Sequence, residues 1–259
     1  MSYTLTQQGF ELADLRRIWQ QPVTIQVDDH LMQGVIQSRQ TVEQVAAGDD
    51  TVYGVNTGFG LLAHVKIDKG ELDTLQRNLV ISHATGVGNP IDTDTTRLIM
   101  TLKAMSLAQG VSGIHPNTLK LLLAMINHEI YPLIPEKGSV GASGDLAPLA
   151  HLSSVMIGLG QVSYQGEIKP VMDVFNALEL TPIKLGPKEG LALLNGTQVS
   201  TGWALKGLFQ AENVFHGAIL AGALSIDAAK GSLSPFDERI HQARRQKGKL
   251  RWPVPSVNY

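Results

Sequence analysis

Gly190-Leu-Ala-Leu-Leu-Asn-Gly-Thr-Gln-Val-Ser-Thr-Gly-Trp-Ala-Leu-Lys-Gly-Leu-Phe-Gln-Ala-Glu-Asn-Val-Phe-His-Gly-Ala-Ile-Leu-Ala-Gly-Ala-Leu-Ser-Ile-Asp-Ala-Ala-Lys230 is the stretch that sets the fold class. It is rich in Ala, Leu and Gly and carries few charges. That composition predicts long helices buried on most sides, as in the core of a large helical bundle or at a subunit interface.

Toward the N-terminus the helical pattern continues. A helix is expected from Asp145 to Leu159, with Pro148 tolerated because a first turn does not use its N–H. Before it lies a loop running through Pro132, Pro135 and Gly138 to Gly144. Asn117 to Asn127 reads as a helix with Pro116 near its start, and Thr93 to Gln109 as another that Gly110 stops. Asp68 to Val80 is helical in pattern, with His83 just beyond it. The run Tyr53-Gly-Val-Asn-Thr-Gly-Phe-Gly60 is too rich in glycine to be anything but a loop. Leu31 to Ala47 places Leu31, Val35, Val42, Val45 and Ala46 at helical spacing ahead of Gly48. Thr24 to Val27 reads as extended, and Gln161 to Lys169 as a small hairpin turning at Gln165-Gly166. No internal repeat is visible. The chain is therefore expected to be mainly α with minor strands and hairpins. Residues 1–245 form one domain, and 246–259 an irregular, polar, proline-broken tail.

Composition narrows the functions. Of 259 residues, 43% are hydrophobic and 17% charged, which suits a globular core. Lys and Arg number 21 against 23 for Asp and Glu, so no broad basic field points to nucleic acid or to a membrane surface as a partner. The sequence has no cysteine, so disulfides and thiolate metal sites are ruled out. Residues 1–10 lack the pattern of a secretory signal, which makes the cytoplasm the expected compartment. His30, His64, His115, His128, His151, His216 and His241 show no pairing at metal-ligand spacing, so no metal is assigned.

The chemistry centres on Gly138-Ser-Val-Gly-Ala-Ser-Gly-Asp-Leu-Ala-Pro-Leu-Ala-His151. An anion cradle is a poor reading of it: a phosphate loop needs a lysine beside its last glycine, whereas Asp145 would repel a phosphate. A helix start with Ser143 or Asp145 as N-cap would account for Ser-Gly-Asp without any chemistry.

The whole string from Gly138 through Ser153 resembles the signature of the aromatic amino acid ammonia-lyases. The resemblance implies that the backbone of Ala142, Ser143 and Gly144 cyclises: the glycine nitrogen attacks the alanine carbonyl carbon, and two waters leave. The product is an electrophilic 4-methylidene-imidazol-5-one, and no external cofactor is needed. The residue types suit that chemistry, since Gly144 has no Cβ to obstruct the bend, Ser143 supplies the leaving hydroxyl and Ala142 is small. A helix starting near Asp145 would also aim its positive dipole end at the ring.

Three further residues enter through the resemblance. Tyr53, in its glycine-rich loop, is similar to the tyrosine that takes the β-proton. His83 in Ser82-His83 is similar to the histidine-specific members and is expected to hold a substrate imidazole. Asn195 in Leu193-Leu-Asn-Gly-Thr197 is similar to an asparagine that contacts the substrate's amino acid end and the ring. Read by themselves, an isolated tyrosine is a packing residue, a lone histidine after a helix a structural one, and Asn195 the N-cap of a following helix.

The implied fold is the N-terminal part of a long-helix bundle of the fumarase/aspartase-like type, forming a homotetramer in complete members. The implied reaction is elimination of ammonium from L-histidine to give urocanate. A tyrosine or phenylalanine lyase or aminomutase is the alternative within the same chemistry, and a catalytically silent fragment with only an oligomer-interface role is the alternative outside it. The resemblance runs from about Tyr3 to Arg245, and the chain has no Tyr-Ser-x-Arg segment of the kind that clamps the substrate carboxylate in the family's second half. The isolated chain is accordingly expected to turn over histidine poorly.

Overall fold

The computed structural model describes residues 1–48, 51–58, 67 and 69–245. Two compact units divide the chain, 1–207 and 208–259.

The first unit opens with β1 (Ser2–Leu5), α1 (Leu12–Gln20) and β2 (Thr24–Val27), and the two strands pair in parallel from Ser2↔Thr24 to Leu5↔Val27. The α2 helix (Asp29–Ala47) follows, started by the Asp28 side chain, which accepts the His30 N–H at 2.7 Å. Next come α3 (Leu72–His83), β3 (Val87–Pro90), α4 (Thr93–Ala108) and α5 (Pro116–Asn127). The order continues with β4 (Tyr131–Pro132), β5 (Pro135–Lys137), α6 (Leu146–Met156), β6 (Gln161–Tyr164), β7 (Glu167–Pro170), α7 (Val171–Ala177) and α8 (Glu189–Leu194). The α9 helix (Gln198–Ala228) runs from the first unit into the second, which adds α10 (Glu238–Ala243).

The core of the first unit is built around α4. Most of its residues from Thr95 to Ala108 are buried, with Ser106 left exposed, because α1, α2 and α5 all pack against it. Such a helix shows no polar stripe, and any charge on it needs a partner. Its end is fixed sterically: Gly110 has φ +70°, and a Cβ there would lie 2.6 Å from the Gly34 carbonyl carbon of α2. Only glycine permits that crossing.

Several expectations needed correction. α1, α7 and the strands β1, β3, β4 and β5 were not expected; they are short, and their periodicity is too brief to read. His83 is the last residue of α3 and does not follow the helix. α6 stops at Met156, three residues short of Leu159, where Gly158 turns at φ +84°. The 190–230 run holds helices as expected, but α8 has only six residues, and Asn195-Gly196-Thr197 separates it from the 31-residue α9. Nor is α9 buried on most sides within this chain, since Val214 is 73% exposed and Leu224 69%. An apolar pattern records every surface that a helix suits, and this chain alone covers only part of them. Among the described residues no helix is long and apolar enough to cross a membrane. The tail expected from Gln246 lies outside the described residues.

Candidate active site

The candidate site forms where α3, α6 and α8 pack mutually. The triplet Ala142-Ser143-Gly144 occupies a bend that leads directly into α6, whose first residue is Leu146. Ala142 and Ser143 are exposed, whereas Asp145 is buried. Gly144 adopts φ +132°, a conformation that side chains resist, and a Cβ built on it would fall 2.7 Å from the Gly196 carbonyl oxygen and 3.1 Å from Asn195 Oδ1. The structure thus brings Gly144 and Asn195 into contact.

Asp145 fastens that contact. Its N–H donates to the Gly196 carbonyl at 2.7 Å, while its carboxylate accepts Ser139 Oγ at 2.8 Å, Ser200 Oγ at 2.6 Å and the Ser200 N–H at 2.8 Å. Asp145 occupies the N-cap position of α6, but its side chain serves the start of α9 and the preceding loop, not α6 itself. Asn195 is the C-cap of α8, not the N-cap of the next helix; its N–H donates to the Leu191 carbonyl at 2.9 Å.

His83 closes α3. Its Nδ1 lies 2.8 Å from the Leu79 carbonyl, and since a carbonyl only accepts, that nitrogen carries the hydrogen. Nε2 is left to serve as an acceptor. The chain beyond His83 is tied to the triplet loop from two sides. β3 pairs with β5, and the Gly86 N–H donates to His151 Nε2 on α6 at 3.0 Å. Burial holds the His151 imidazole below its ordinary pKa, in keeping with a neutral ring that accepts.

Tyr53 is on an exposed turn. That turn is anchored by Val55 against Val42 and Ala46 of α2, and by the Asn56 side chain, which accepts the Val52 N–H at 2.8 Å. Phe59 and Gly60, the rest of the expected loop motif, lie outside the described residues, as does His64.

A cleft of about 320 Å³ opens beside the triplet loop, lined among others by Lys137, Ser139, Asp145, Ser200 and Trp203. A larger one, about 510 Å³, is lined by Arg39, His115, Lys120, Lys184 and Glu189 and by none of the expected site residues.

Sequence reasoning passed over Ser139, Ser200, His151 and Lys103. Lys103 is 1% exposed, and its Nζ donates to the Ala192 carbonyl at 2.8 Å and the Asn195 carbonyl at 3.4 Å. A serine or a lysine inside a helical pattern carries no local sign of such a role.

The family model "aromatic amino acid lyase" matches residues 10–252. The chain belongs to that family. Among curated members of the aromatic amino acid lyases, the histidine ammonia-lyase of Pseudomonas fluorescens SBW25 is 54% identical over 239 residues, covering 92% of this chain and 47% of its own length. That of Enterobacter sp. 638 is 51% identical over 247 residues, covering 95% of this chain and 49% of its own. The chain spans about half the length of the curated relatives it matches. Among solved structures, a histidine ammonia-lyase from Trypanosoma cruzi superposes with a TM-score of 0.87 at 31% identity, over 94% of this chain and 47% of that one. Ergothionase from Treponema denticola superposes at 0.90 with 28% identity, over 96% and 50%. The mainly α architecture is that of the aromatic amino acid lyases.

Proposed function

We propose that this chain carries the electrophile-forming part of a histidine ammonia-lyase, which eliminates ammonium from L-histidine to give urocanate. The observation that carries the reading is the placement of Ala142-Ser143-Gly144: a bend at the amino end of α6, with Gly144 pressed on Asn195 and Gly196.

The residues present fit a 4-methylidene-imidazol-5-one made from that triplet. Gly144 alone leaves room for the bend, since any Cβ would strike the Gly196 backbone, and the amino end of α6 favours negative charge beside it. Once formed, the group supplies an electrophilic carbon that makes the otherwise inert β-C–H of the substrate removable. The chain's own residues do the rest. Tyr53 Oη receives the β-proton. His83, with Nδ1–H committed to Leu79, presents Nε2 to the N–H of the substrate imidazole. The Asn195 amide, held beside Gly144, hydrogen-bonds the amino acid end of the substrate. Histidine is favoured over phenylalanine because an imidazole N–H can donate to that Nε2 acceptor and an apolar ring cannot. The cytoplasm, a homo-oligomer and L-histidine as the small-molecule partner belong to the same proposal.

Intact mass tests the electrophile. The chain should be lighter than its sequence by two waters, and Ser143→Ala should keep its full mass while folding normally; a wild-type chain at full mass overturns the reading. Equilibrium binding tests the substrate. L-Histidine should bind more tightly than L-tyrosine and L-phenylalanine, and His83→Leu should remove that preference; no preference in the wild type overturns the assignment of histidine.

A further inference from the structure

Lys103 sits in the middle of α4, 1% exposed, and none of the roles described above uses it. Among the described residues its polar partners are two carbonyl oxygens, those of Ala192 and Asn195, and no carboxylate pairs with it. Burial pushes its pKa down to about 7. Packing alone does not call for an amine here, because a methionine would fill similar space without the desolvation cost. What an amine can do, and a methionine cannot, is grip two carbonyls at once.

The two it grips are at the carboxyl end of α8. Ala192 is in the last turn, and Asn195 is the C-cap, where the chain leaves the helix. Pinning both sets the direction in which the backbone turns at Asn195-Gly196. That corner is packed against the triplet without slack. Asn195 Oδ1, Gly196 N and Gly196 O all lie within 3.1 Å of where a Gly144 Cβ would stand, and Gly196 O accepts the Asp145 N–H at 2.7 Å. A shift of the corner would therefore be felt at Gly144 and Asp145.

We propose that Lys103 is a positioning residue: by holding the Ala192 and Asn195 carbonyls, it sets the Asn195–Gly196 corner against Gly144 and so maintains the bend in which Ala142-Ser143-Gly144 closes. The role in closure rests on the reading of the triplet given above; the role in holding the corner does not.

The test compares the 259-residue chain with Lys103→Met and Lys103→Arg, reading hydrogen exchange at the Asp145 and Gly196 amides and, in the folded fraction, the share of molecules lighter by two waters. In Lys103→Met the Asp145 amide should exchange about tenfold faster, the size of one lost hydrogen bond, and the dehydrated share should fall. Lys103→Arg, which still donates to carbonyls, should recover both in part. Loss of thermal stability alone, with exchange and mass as in the wild type, overturns the proposal. If Lys103→Met does not fold, Lys103→Gln takes its place with the same readouts, since its shorter amide holds at most one of the carbonyls. A wild-type chain at full mass overturns the electrophile reading, and exchange at Asp145 then decides the positioning role by itself.

Discussion

Helix α4 carries two buried cations, and each grips the carboxyl end of another helix. Arg97 donates to the Ile18 and Trp19 carbonyls of α1, both at 2.5 Å, and Lys103 to the end of α8. The device is the same, a positive group on the unpaired carbonyls and negative dipole end of a helix. The surroundings differ. Arg97 has Asp94 at 2.9 Å and the Tyr131 hydroxyl at 3.3 Å, so its charge is balanced and its donors are largely occupied. Among the described residues Lys103 has carbonyls only, and its pKa falls to about 7. A guanidinium with a carboxylate makes a fixed structural joint, while an amine without one carries a cost that packing does not explain. The first joint anchors the N-terminal βαβ unit. The second lies under Asn195, beside the triplet.

Replacing each cation should expose this difference. Arg97→Met takes the guanidinium away from the Ile18 and Trp19 carbonyls and should cost about 3–5 kcal/mol of stability, seen as a lower urea midpoint. The folded fraction should keep its dehydrated mass. A loss of that mass as severe as in Lys103→Met would erase the distinction between the two joints.

Titration sharpens it. Lys103 has a folded pKa of about 7 against the ordinary lysine value of 10.5. Between those values the unfolded chain binds more protons, so stability should rise with pH from about 7 to 10.5. The gain is on the order of 1 kcal/mol for each pH step of one across that interval, with a same-direction share from Lys188, whose pKa burial also lowers. Thermal unfolding across that range should climb in the wild type and flatten in Lys103→Met. A flat wild-type profile would show that the amine is not carried at a cost. Arg97 should leave the slope unchanged, since it stays charged throughout.

The smallest expected effect is on the far side of the joint. Gly144→Ala forces a side chain into φ +132° and against the Gly196 backbone, and should cost about 1–3 kcal/mol. It should also speed exchange at the Asp145 amide. Full stability with wild-type exchange would mean that the corner has slack, which would weaken the case for Lys103 as well.

How much was legible depended on whether the signal was local. The hairpin at Gln165-Gly166 and the helix from Thr93 follow from glycines and spacing within a few residues, and the structure has them at nearly those bounds, whereas the loop expected before α6 holds the short strands β4 and β5. The triplet could be singled out because the string from Gly138 through Ser153 resembles the family's signature, and its residue types suit the cyclisation that the resemblance implies. Asn195 was legible as a residue but not as a cap, because a C-cap and an N-cap separated by two residues look alike in sequence. Ser139, Ser200 and His151 acquire partners from segments up to 65 residues away, and no local pattern signals such pairings.

The sequence by itself determined the helical class and, through its resemblance to the aromatic amino acid ammonia-lyases, singled out Ala142-Ser143-Gly144, because periodicity and a motif are properties of neighbouring residues. Only the tertiary structure decided which surfaces meet: that α3, α6 and α8 converge, that Gly144 rests on Asn195, and that a lysine in the most buried helix reaches the carbonyls beneath them. Those facts depend on how desolvated charges find partners across long chain separations, and burial is a property that groups acquire only when the fold has placed them together.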